Sequence, residues 1–428
     1  MIGKKAHSLA KELWPINRSL TGEGVRNTLK IIKKKIPELQ IHSVKTGKQV
    51  FDWTVPKEWH VTEAWIKSPN GKKICDFKKN NLHLVGYSKP VNKVLKRKDL
   101  FKHLHTFKRS KKLIPYVTSY YKKDWGFCMQ DSIKSKMKDD IYEVLIDTEL
   151  KKGFLNYGEI FIKGISRKEV FITTYICHPS MANNELSGPC LSIFLAKYIQ
   201  SKKNYYSYRF IFIPEIIGSI IYIHNNKKNL KNIKYAFNIN CVGDNRNLSF
   251  LPSRKSNTLT DKLSEFVFKD LNLKYKKYDY LKHRGSDERN FSSPNVNLPM
   301  VSIMRSKHGT YKEYHTSKDD LNFISIAGLK LSYKIYVRCF EIIEKNFVFK
   351  SNLYGEPSLT NLGYGYTLIA GKNNSKSLNS KLILDLLDCL DSKNDLIDIS
   401  YKLNTSIDDL FEIIQMLKQN KLISYISK

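Results

Sequence analysis

The stretch that decides the fold of this chain reads Thr173-Thr174-Tyr175-Ile176-Cys177-His178-Pro179-Ser180-Met181-Ala182-Asn183-Asn184-Glu185-Leu186-Ser187-Gly188-Pro189. Val170 to Ile176 is a β-branched and aromatic run, which predicts a buried strand. A turn that carries His178 and several polar residues follows, and the apolar segment Cys190 to Ile199 then predicts a helix. Proteins that alternate strands and helices place their chemistry at such strand ends.

Two further segments repeat this design of a strand followed by an acidic residue. Arg209 to Pro214 predicts a strand and is followed by Glu215, and Tyr235 to Val242 predicts another and is followed by Asp244. Because the carboxyl ends of parallel strands meet at one edge of a sheet, three such strand ends in succession predict one polar site.

The composition indicates a globular protein of more than one domain. A chain of 428 residues with 41% hydrophobic residues predicts two or three domains with a substantial core. The formal charge of +33 would suit a nucleic-acid partner, but the lysines are spread over the whole length. We therefore favour solvated lysines, leave an anionic partner as the alternative, and do not expect nucleic acid.

The cysteines and the hydropathy of the sequence predict where the protein resides. Seven cysteines without a CxxC pair predict reduced thiols in a cytoplasmic protein. No apolar run of about 18 residues occurs, and no apolar region follows the charged start of the chain. We predict neither a membrane span nor export.

The texture of the sequence changes twice within the first 350 residues. Residues 51–127 contain short β-like segments, with a hairpin signal at Pro69-Asn70-Gly71, and predict an inserted β-rich subdomain. Strands and helices alternate from about residue 139, beginning with a strand at Ile141 to Asp147. Residues 1–50 and 128–350 are therefore expected to form one α/β domain, a mixed sheet flanked by helices.

The end of the chain predicts a different module. Residues 380–428 show three amphipathic helical segments and a closing strand, which together are typical of a winged helix, and residues 351–379 are the expected linker. Winged helices often bind DNA, but the third helical segment starts with Asp408 and Asp409, which repel phosphates. We favour a protein-contact role, including contact between copies of this chain.

Two more segments supply side chains for a metal site. Arg284 to Arg289 contains Asp287, and Glu313 to Asp320 contains His315. Neutral imidazoles and carboxylates at sheet edges are ligands of a catalytic zinc ion, and a further carboxylate takes the proton of water. The sequence offers candidates for each of these roles.

The order of these motifs resembles the zinc aminopeptidase superfamily. The match is closest to a bacterial branch with an inserted β-domain and a C-terminal winged helix, often met in surface-polysaccharide loci. The resemblance is carried across nearly the whole chain by the His178 turn, the Arg284–Arg289 and Glu313–Asp320 segments, and by residues 14–26, 50–59, 114–121 and 125–128.

Carried over residue by residue, the resemblance implies that His178 and His315 are zinc ligands. It makes Glu215 a general base or a ligand, and Asp244 and Asp287 further ligands or orienting carboxylates. Related turns have Asp where this chain has Asn184, a paired Glu-Glu where it has the single Glu215, and a ligand Asp at Asn240.

An amide oxygen is a weaker ligand than a carboxylate, so the resemblance implies one zinc ion at most rather than two. Glu185 could supply a displaced carboxylate. Glu185, Asn184, Asn240, Arg284 and Arg289 are the expected lining of the site.

Several residues keep simpler alternatives. His178 could be a turn histidine, Asp244 a turn residue, and Asp287 the ion-pair partner of an arginine. Asp319 and Asp320 are expected as charges at a helix N-terminus, or as groups that orient His315. Cys177 could be a thiol nucleophile, but consecutive residues of a strand point to opposite faces, so a pair with His178 is not expected.

The function that follows is zinc-dependent hydrolysis of an amide bond by an aminopeptidase-like enzyme with a depleted metal site. In this reading His178 and His315 hold zinc, Glu215 activates water, and Asp244 or Asp287 completes the shell. The expected substrate is a small peptide, an aminoacyl group or an acylated sugar amine, with room for an anionic group. The alternatives are a non-catalytic protein that binds a glycan precursor or a protein partner, and a DNA-binding regulator acting through residues 380–428.

Overall fold

The computed structural model describes residues 2–108, 110–362 and 375–426. The chain divides into two compact units, one formed by residues 1–262 and 273–336 and the other by residues 263–272 and 337–428. The first unit contains several sheets and the second contains one, each unit has its own buried side chains, and the candidate site lies entirely within the first.

The first unit is built on an eight-stranded mixed sheet. In spatial order, its strands are Gln40–Lys45, Phe154–Ile162, Ser207–Ile213, Glu169–Tyr175, Ile233–Asn238, Met300–Met304, Ser249–Leu251 and Lys276–Lys277. The four central strands, from Ser207–Ile213 to Met300–Met304, are parallel, and the strands beside them on either side run antiparallel to them. The predicted α/β mixed sheet is confirmed.

The strand Glu169–Tyr175 is buried along its whole length because helices cover both faces of a parallel sheet. The chain leaves this strand for Ser207–Ile213 on one side and returns to Ile233–Asn238 on the other. Such a reversal opens a crevice outside the carboxyl ends of the strands, where proteins of this class bind ligands. His178 lies three residues after Tyr175, the last residue of this strand, at the crevice.

The helices of the first unit alternate with the strands. The main ones are Ile2–Leu13, Glu23–Lys35, Ser187–Gln200, Ile217–Asn226, Leu259–Asp270 and Ile326–Ile343, of which the last two also enter the second unit. Shorter helices are Arg97–Leu100, Asp131–Lys134, Tyr280–His283 and Glu288–Phe291. In the described part of the chain, no helix is both long and apolar enough to span a membrane. All seven cysteines are buried free thiols.

A second, four-stranded sheet is antiparallel, with the order Lys73–Asp76, Glu58–Lys67, Ile141–Lys151 and Val91–Lys96. The short strand pairs Gln49–Val50 with Trp53–Thr54 and Leu104–His105 with Phe127–Cys128 lie in the same part of the sequence. Assigning Ile141 to Asp147 to the large sheet was wrong. That strand alternates buried and exposed residues, as expected for an antiparallel sheet with one covered face.

The second unit contains a winged helix, as predicted. Its helices are Ser375–Cys389, Leu396–Leu403 and Ile407–Gln419, and its sheet has the order Asp391–Asp395, Val348–Ser351, Ile423–Ile426. The expected linker at 351–379 falls partly on residues 363–374, outside the described residues, and its last part belongs to the first helix. The proposed domain boundaries stay predictions.

Glu58 joins the two larger sheets of the first unit. Its buried carboxylate accepts hydrogen bonds from the Phe154 amide at 2.7 Å and from two nitrogens of Arg26 at 2.5 and 2.8 Å. Burial alone would raise the pKa of Glu58, but the hydrogen bonds from Arg26 and Phe154 lower it to about 2.

The low pKa of Glu58 predicts a contribution to acid sensitivity. A carboxylate whose pKa is lower in the folded state stabilises the fold above its ordinary pKa, and this stabilisation is lost as the pH falls towards 2. We expect Glu58→Gln to lower the free energy of unfolding by about 2 kcal/mol at pH 7, with the difference from wild type shrinking between about pH 4.5 and 2.

Urea unfolding at several pH values measures this difference. Glu23→Gln is the matched control, because Glu23 also contacts Arg26 but its side chain is 56% exposed. It should change stability by less than about 0.5 kcal/mol. A loss in Glu58→Gln that does not vary with pH would contradict the prediction.

Candidate active site

The turn after Tyr175 is fixed by a buried ion pair. Arg18 Nε donates to Glu185 Oε1 at 2.7 Å and to the His178 carbonyl at 3.0 Å, and both charged side chains are fully buried. The other carboxylate oxygen of Glu185 accepts the His178 amide and lies 3.0 Å from His178 Nδ1. Glu185 therefore orients His178 and turns its Nε2 towards the crevice, which differs from the expected role of a site-lining carboxylate.

His315 comes from a separate loop and meets His178 across the crevice. The two imidazole ring centroids are 5.4 Å apart, and no described residue contacts His315 Nε2 by a hydrogen bond. His315 adopts a positive φ of 53°, a conformation that is uncommon outside glycine and typical of constrained sites. Burial, and then the neighbouring His178 and His308, lower the pKa of His315 to about 3, so its ring is neutral at pH 7.

Tyr116 packs against both histidines. Its ring centroid lies 5.2 Å from that of His178 and 5.1 Å from that of His315, and its amide donates to the His315 carbonyl at 2.9 Å. Ile114 on the same segment exchanges hydrogen bonds with Ser317. The segment around Tyr116, which precedes the second sheet's long strand, thus forms a wall of the site.

Glu215 faces His178 from the next strand end. Its Oε2 lies 3.7 Å from His178 Nε2, while its Oε1 accepts the hydroxyl of Ser286 at 2.7 Å. Burial raises the pKa of Glu215, and the charge of His178 only partly opposes this. The carboxylate therefore has one oxygen held by the protein and the other turned towards the first histidine.

Asp287 is buried beside Glu215. Its Oδ1 accepts the Ile216 amide at 2.8 Å, whereas its Oδ2 has no hydrogen-bond partner among the described residues. Burial and then the charge of Glu215 raise the pKa of Asp287. Neither Arg284 nor Arg289 pairs with it in the described structure. Arg284 is exposed and stacks on Tyr280.

Asn184 and Asn240 are the two positions at which the family resemblance implies carboxylates. Asn184 Nδ2 donates to the Tyr175 hydroxyl at 2.7 Å, but its Oδ1 is buried without a partner in the part of the chain that the structure describes. Both polar atoms of Asn240 are buried and unpartnered there as well. Leaving a buried polar group unsatisfied costs about 1–3 kcal/mol, so these atoms mark a place prepared for a ligand or for water.

Asp319 stabilises the turn that follows His178 by accepting two backbone hydrogen bonds. Its two carboxylate oxygens accept the amides of Asn183 at 2.6 Å and Asn184 at 3.0 Å. Burial raises the pKa of Asp319 to about 7, against the effect of these two amides. Asp319 precedes the helix Ile326–Ile343 by several residues and does not contact His315 by a hydrogen bond, so both expected roles for it were wrong.

The carboxylate of Asp244 is fully occupied by hydrogen bonds within the protein. Its carboxylate accepts hydrogen bonds from the Asn183 side chain, from the amide and hydroxyl of Ser306, and from the Arg246 amide, at 2.8 to 3.1 Å. No lone pair is left in a position to hold a metal without breaking these bonds. The structure therefore gives Asp244 the task of positioning Asn183, next to Asn184.

Cys177 lies nearer to His178 than expected. Its Sγ is 3.5 Å from His178 Nδ1, because both residues lie beyond the end of the strand and do not alternate in direction. The potential ligand atoms of Cys177, His178 and Glu185 lie within 4.8 Å of one another. Burial raises the pKa of Cys177 to about 11, which keeps the thiol protonated and unsuited to nucleophilic attack.

Three functional residues escaped the sequence analysis. Arg18 lies in the motif Trp14 to Arg26 that carries the family resemblance. Its place in that motif, rather than its charge, could have indicated a role at the site. Tyr116 likewise lies in a quoted motif. Glu288 also lies in a quoted motif, Arg284 to Arg289, but was not assigned a role. Its buried carboxylate accepts hydrogen bonds from the amides of Gly285 and Ser286 and from the side chain of Asn238, and so fixes the loop that carries Asp287.

Together, the mixed sheet, the crevice at its carboxyl edge and the facing histidines define an aminopeptidase-like protein. A zinc aminopeptidase from Bacillus subtilis superposes with a TM-score of 0.59 at 13% identity, covering 80% of this chain and 95% of that one. An M28 peptidase precursor from Shewanella amazonensis superposes with a TM-score of 0.56 at 12% identity, covering 83% and 97%. At these identities the likeness concerns the fold.

Residues 7–346 match the family described as a domain of unknown function (DUF4910), and residues 347–425 match a winged helix-turn-helix family. The chain belongs to the DUF4910 family. A Clostridium acetobutylicum protein provisionally named as a polysaccharide biosynthesis protein with an aminopeptidase-like domain is 44% identical, over 94% of this chain and 91% of its own length. A C. acetobutylicum structure provisionally described as a peptidase superposes with a TM-score of 0.89 at 40% identity, covering 99% of this chain and 96% of that one.

The ion pair of Arg18 and Glu185 generates a prediction about stability. Removing one partner of a buried pair leaves an uncompensated charge, which costs about 3–5 kcal/mol. We expect Arg18→Met to lower the free energy of unfolding by this amount, measured by urea denaturation.

The double variant Arg18→Met/Glu185→Gln is the matched control. It removes the charge that the single variant strands, while the glutamine keeps an acceptor for the His178 amide, and we expect it to regain at least about half of the loss. Additive losses in the double variant would show that the two charges do not act as a pair.

Proposed function

We propose that this chain is a metal-dependent amide hydrolase in which His178 and His315 hold one zinc ion and Glu215 accepts a proton from water. The observation that carries the proposal is a set of buried potential metal-ligand atoms that have no hydrogen-bond partner among the described residues. These atoms are His315 Nε2, Asp287 Oδ2, Asn184 Oδ1 and Asn240 Oδ1. Imidazole nitrogens and carboxylate oxygens are the ligand types that zinc takes at catalytic sites.

The two imidazoles fit a shared ion. Two histidines that bind one zinc ion at about 2.0–2.1 Å in tetrahedral geometry place their ring centres roughly 5 Å apart. The centroids of His178 and His315 are 5.4 Å apart. Glu185 holds His178 Nδ1, as a carboxylate does behind a metal-binding histidine. Asp287 is the third ligand in this proposal, through its unpartnered Oδ2. Among the described residues, only the ligand atoms of Cys177, His178 and Glu185 form a group of three within 4.8 Å of one another, so zinc binding requires His315 and Asp287 to move towards His178.

The two asparagines limit the number of ions. A second zinc ion in this fold would rest on carboxylates at the positions of Asn184 and Asn240, and neutral amide oxygens bind divalent cations more weakly. We therefore propose one ion, with the two amide oxygens available to water or to the polar groups of a substrate.

The residues of the chain divide the chemical work. Zinc bound here would supply Lewis-acid polarisation of the amide carbonyl. Glu215 would take the proton of the attacking water and return it to the leaving nitrogen, and its raised pKa suits that exchange. Ser286 holds the carboxylate in place by its hydrogen bond to Oε1, and Tyr116 screens the histidines from solvent.

The proposed substrate class is based on the names of the similar proteins. The distant structural neighbours named above are zinc aminopeptidases and peptidases, and the C. acetobutylicum relative is named for polysaccharide biosynthesis. We propose an aminoacyl or acyl group on a sugar amine, or a small peptide, as the substrate. Since all seven thiols are free, we place the reaction in the cytoplasm.

A second candidate function is favoured by Asn184 and Asn240 themselves. A pocket that binds a glycan precursor without cleaving it needs no catalytic metal, so it can have amides at both of these positions. The two candidates differ in turnover, not in the location of the ligand.

Zinc binding and turnover test the proposal together. We expect His178→Ala and His315→Ala each to weaken zinc binding by at least about 100-fold, because each removes a ligand, with affinity measured by competition with a chromophoric chelator. Glu215→Gln should keep zinc but lower kcat on an aminoacyl-p-nitroanilide or an N-acyl amino sugar by about 10²- to 10⁴-fold.

His224→Ala is the control, because His224 lies beside Asn225 and Phe51, away from the crevice. It should leave zinc affinity and turnover unchanged. Unaltered zinc affinity in both His178→Ala and His315→Ala would refute the ligand assignment. Zinc binding with no turnover of either substrate type would favour the non-catalytic pocket.

A further inference from the structure

A second concave surface lies at the same edge of the large sheet as the crevice. It is a groove of about 660 Å³ within the first unit, and we call it the basic groove. Its lining includes Arg246, Lys274, Tyr275, Lys276, Tyr278 and Arg305. The volume lies within the range of about 300–1,000 Å³ that small-molecule sites occupy.

The sheet itself brings these residues together. Ser249 pairs with Met304 on one side and with Lys276 on the other, so the start of Ser249–Leu251 lies beside the end of Met300–Met304. Arg305 follows that end directly. The basic groove therefore lies at the carboxyl edge of the central strands, beyond the strand Met300–Met304 from His178.

Arg305 is a buried cation without an ion-pair partner among the described residues. Its residue is only 5% exposed, and its Nε donates to the Asp244 carbonyl at 2.9 Å. Within the described residues, no carboxylate lies at ion-pair distance from its guanidinium, and its two terminal nitrogens form no hydrogen bond. Burial lowers the pKa of Arg305, and the charge of Asp244 partly opposes this. Buried arginines are otherwise found paired, since an unpaired buried charge is costly.

The other cations of the basic groove surround this anchor. Lys274 and Lys276 are exposed and pair with no described carboxylate, while Arg246 is held by Glu313 through two hydrogen bonds at 2.8 and 2.9 Å. Burial of a planar guanidinium at the bottom, with flexible ammonium groups at the rim, is the arrangement that binds phosphate oxygens.

The tyrosines indicate what the phosphate is attached to. Tyr275 is exposed at the rim, and Tyr278 lies under the ammonium group of Lys276 at 5.1 Å from its ring centroid. Aromatic faces beside cations bind the ring of a sugar or base by stacking. A nucleic-acid strand would instead need an extended row of exposed cations, since it follows a surface and does not enter a pocket.

We propose that the basic groove binds the phosphate groups of a small phosphorylated ligand, with the Arg305 guanidinium as the anchor and Lys274 and Lys276 at the rim. This site does not depend on the zinc ion or on His178 and His315. Part of the large positive charge of the chain would then serve to bind this ligand.

Isothermal titration of the full chain with pyrophosphate tests the proposal. The buffer contains EDTA, because pyrophosphate also binds metals, and about 0.15 M salt to screen diffuse charge. We expect one site per chain, and a loss of affinity of roughly tenfold to hundredfold in Arg305→Gln, as hydrogen bonds to a charged group predict. Lys274→Gln/Lys276→Gln should also weaken binding. Both of these lysines are exposed, so this variant is informative even if Arg305→Gln fails to fold.

Lys5→Gln/Lys197→Gln is the matched control, since it removes the same charge from a different lysine-lined groove on the same unit. It should leave pyrophosphate affinity unchanged. An equal loss in this control and in Lys274→Gln/Lys276→Gln would overturn the proposal in favour of net charge alone. Absence of binding to wild type would overturn it, as would displacement of pyrophosphate by a single-stranded oligonucleotide at equal phosphate concentration.

Discussion

One buried ion pair, between Arg18 and Glu185, holds the turn on which the rest of the site depends. Glu185 shares its carboxylate between the guanidinium and the backbone and imidazole of His178, so the position of that ring is fixed before any ligand arrives. Asp319 fixes the other half of the same turn by accepting two successive amides. Preorganisation of this kind is what a metal or substrate site requires, because the cost of ordering the ligands has already been met in folding.

In the proposed site, the number of metal ions depends on the absence of negative charge at Asn184 and Asn240. Each amide keeps the size and the oxygen of a carboxylate but contributes no charge, and each has a buried oxygen without a described partner. The carboxylates proposed to face the ion are Glu215 and Asp287, and burial together with the charge of Glu215 raises the pKa of Asp287. A single divalent cation balances two such carboxylates, whereas two cations would leave a buried excess of positive charge.

Much of the fold could be predicted from the sequence, because buried parallel strands are continuous apolar runs and winged-helix segments are amphipathic. The strand predicted at Val170 to Ile176 is observed at Glu169–Tyr175, and the strand predicted at Arg209 to Pro214 is observed at Ser207–Ile213. The site was harder, since strand ends locate His178 and Glu215 but not their partners. The hydrogen bonds that occupy Asp244, and the pairing of Arg18 with Glu185 from 167 positions away, are set by tertiary packing that no local pattern encodes.

The central claim is that the site holds one zinc ion because two carboxylates are replaced by amides. Metal stoichiometry of zinc-loaded protein, measured by mass spectrometry for wild type and for Asn184→Asp/Asn240→Asp, tests this claim most directly. The account predicts one zinc ion per chain in wild type and two in the double variant, since the variant restores two of the three carboxylates that the resemblance implies for a two-ion site. No zinc or two ions in wild type, or a double variant that gains none, would contradict it.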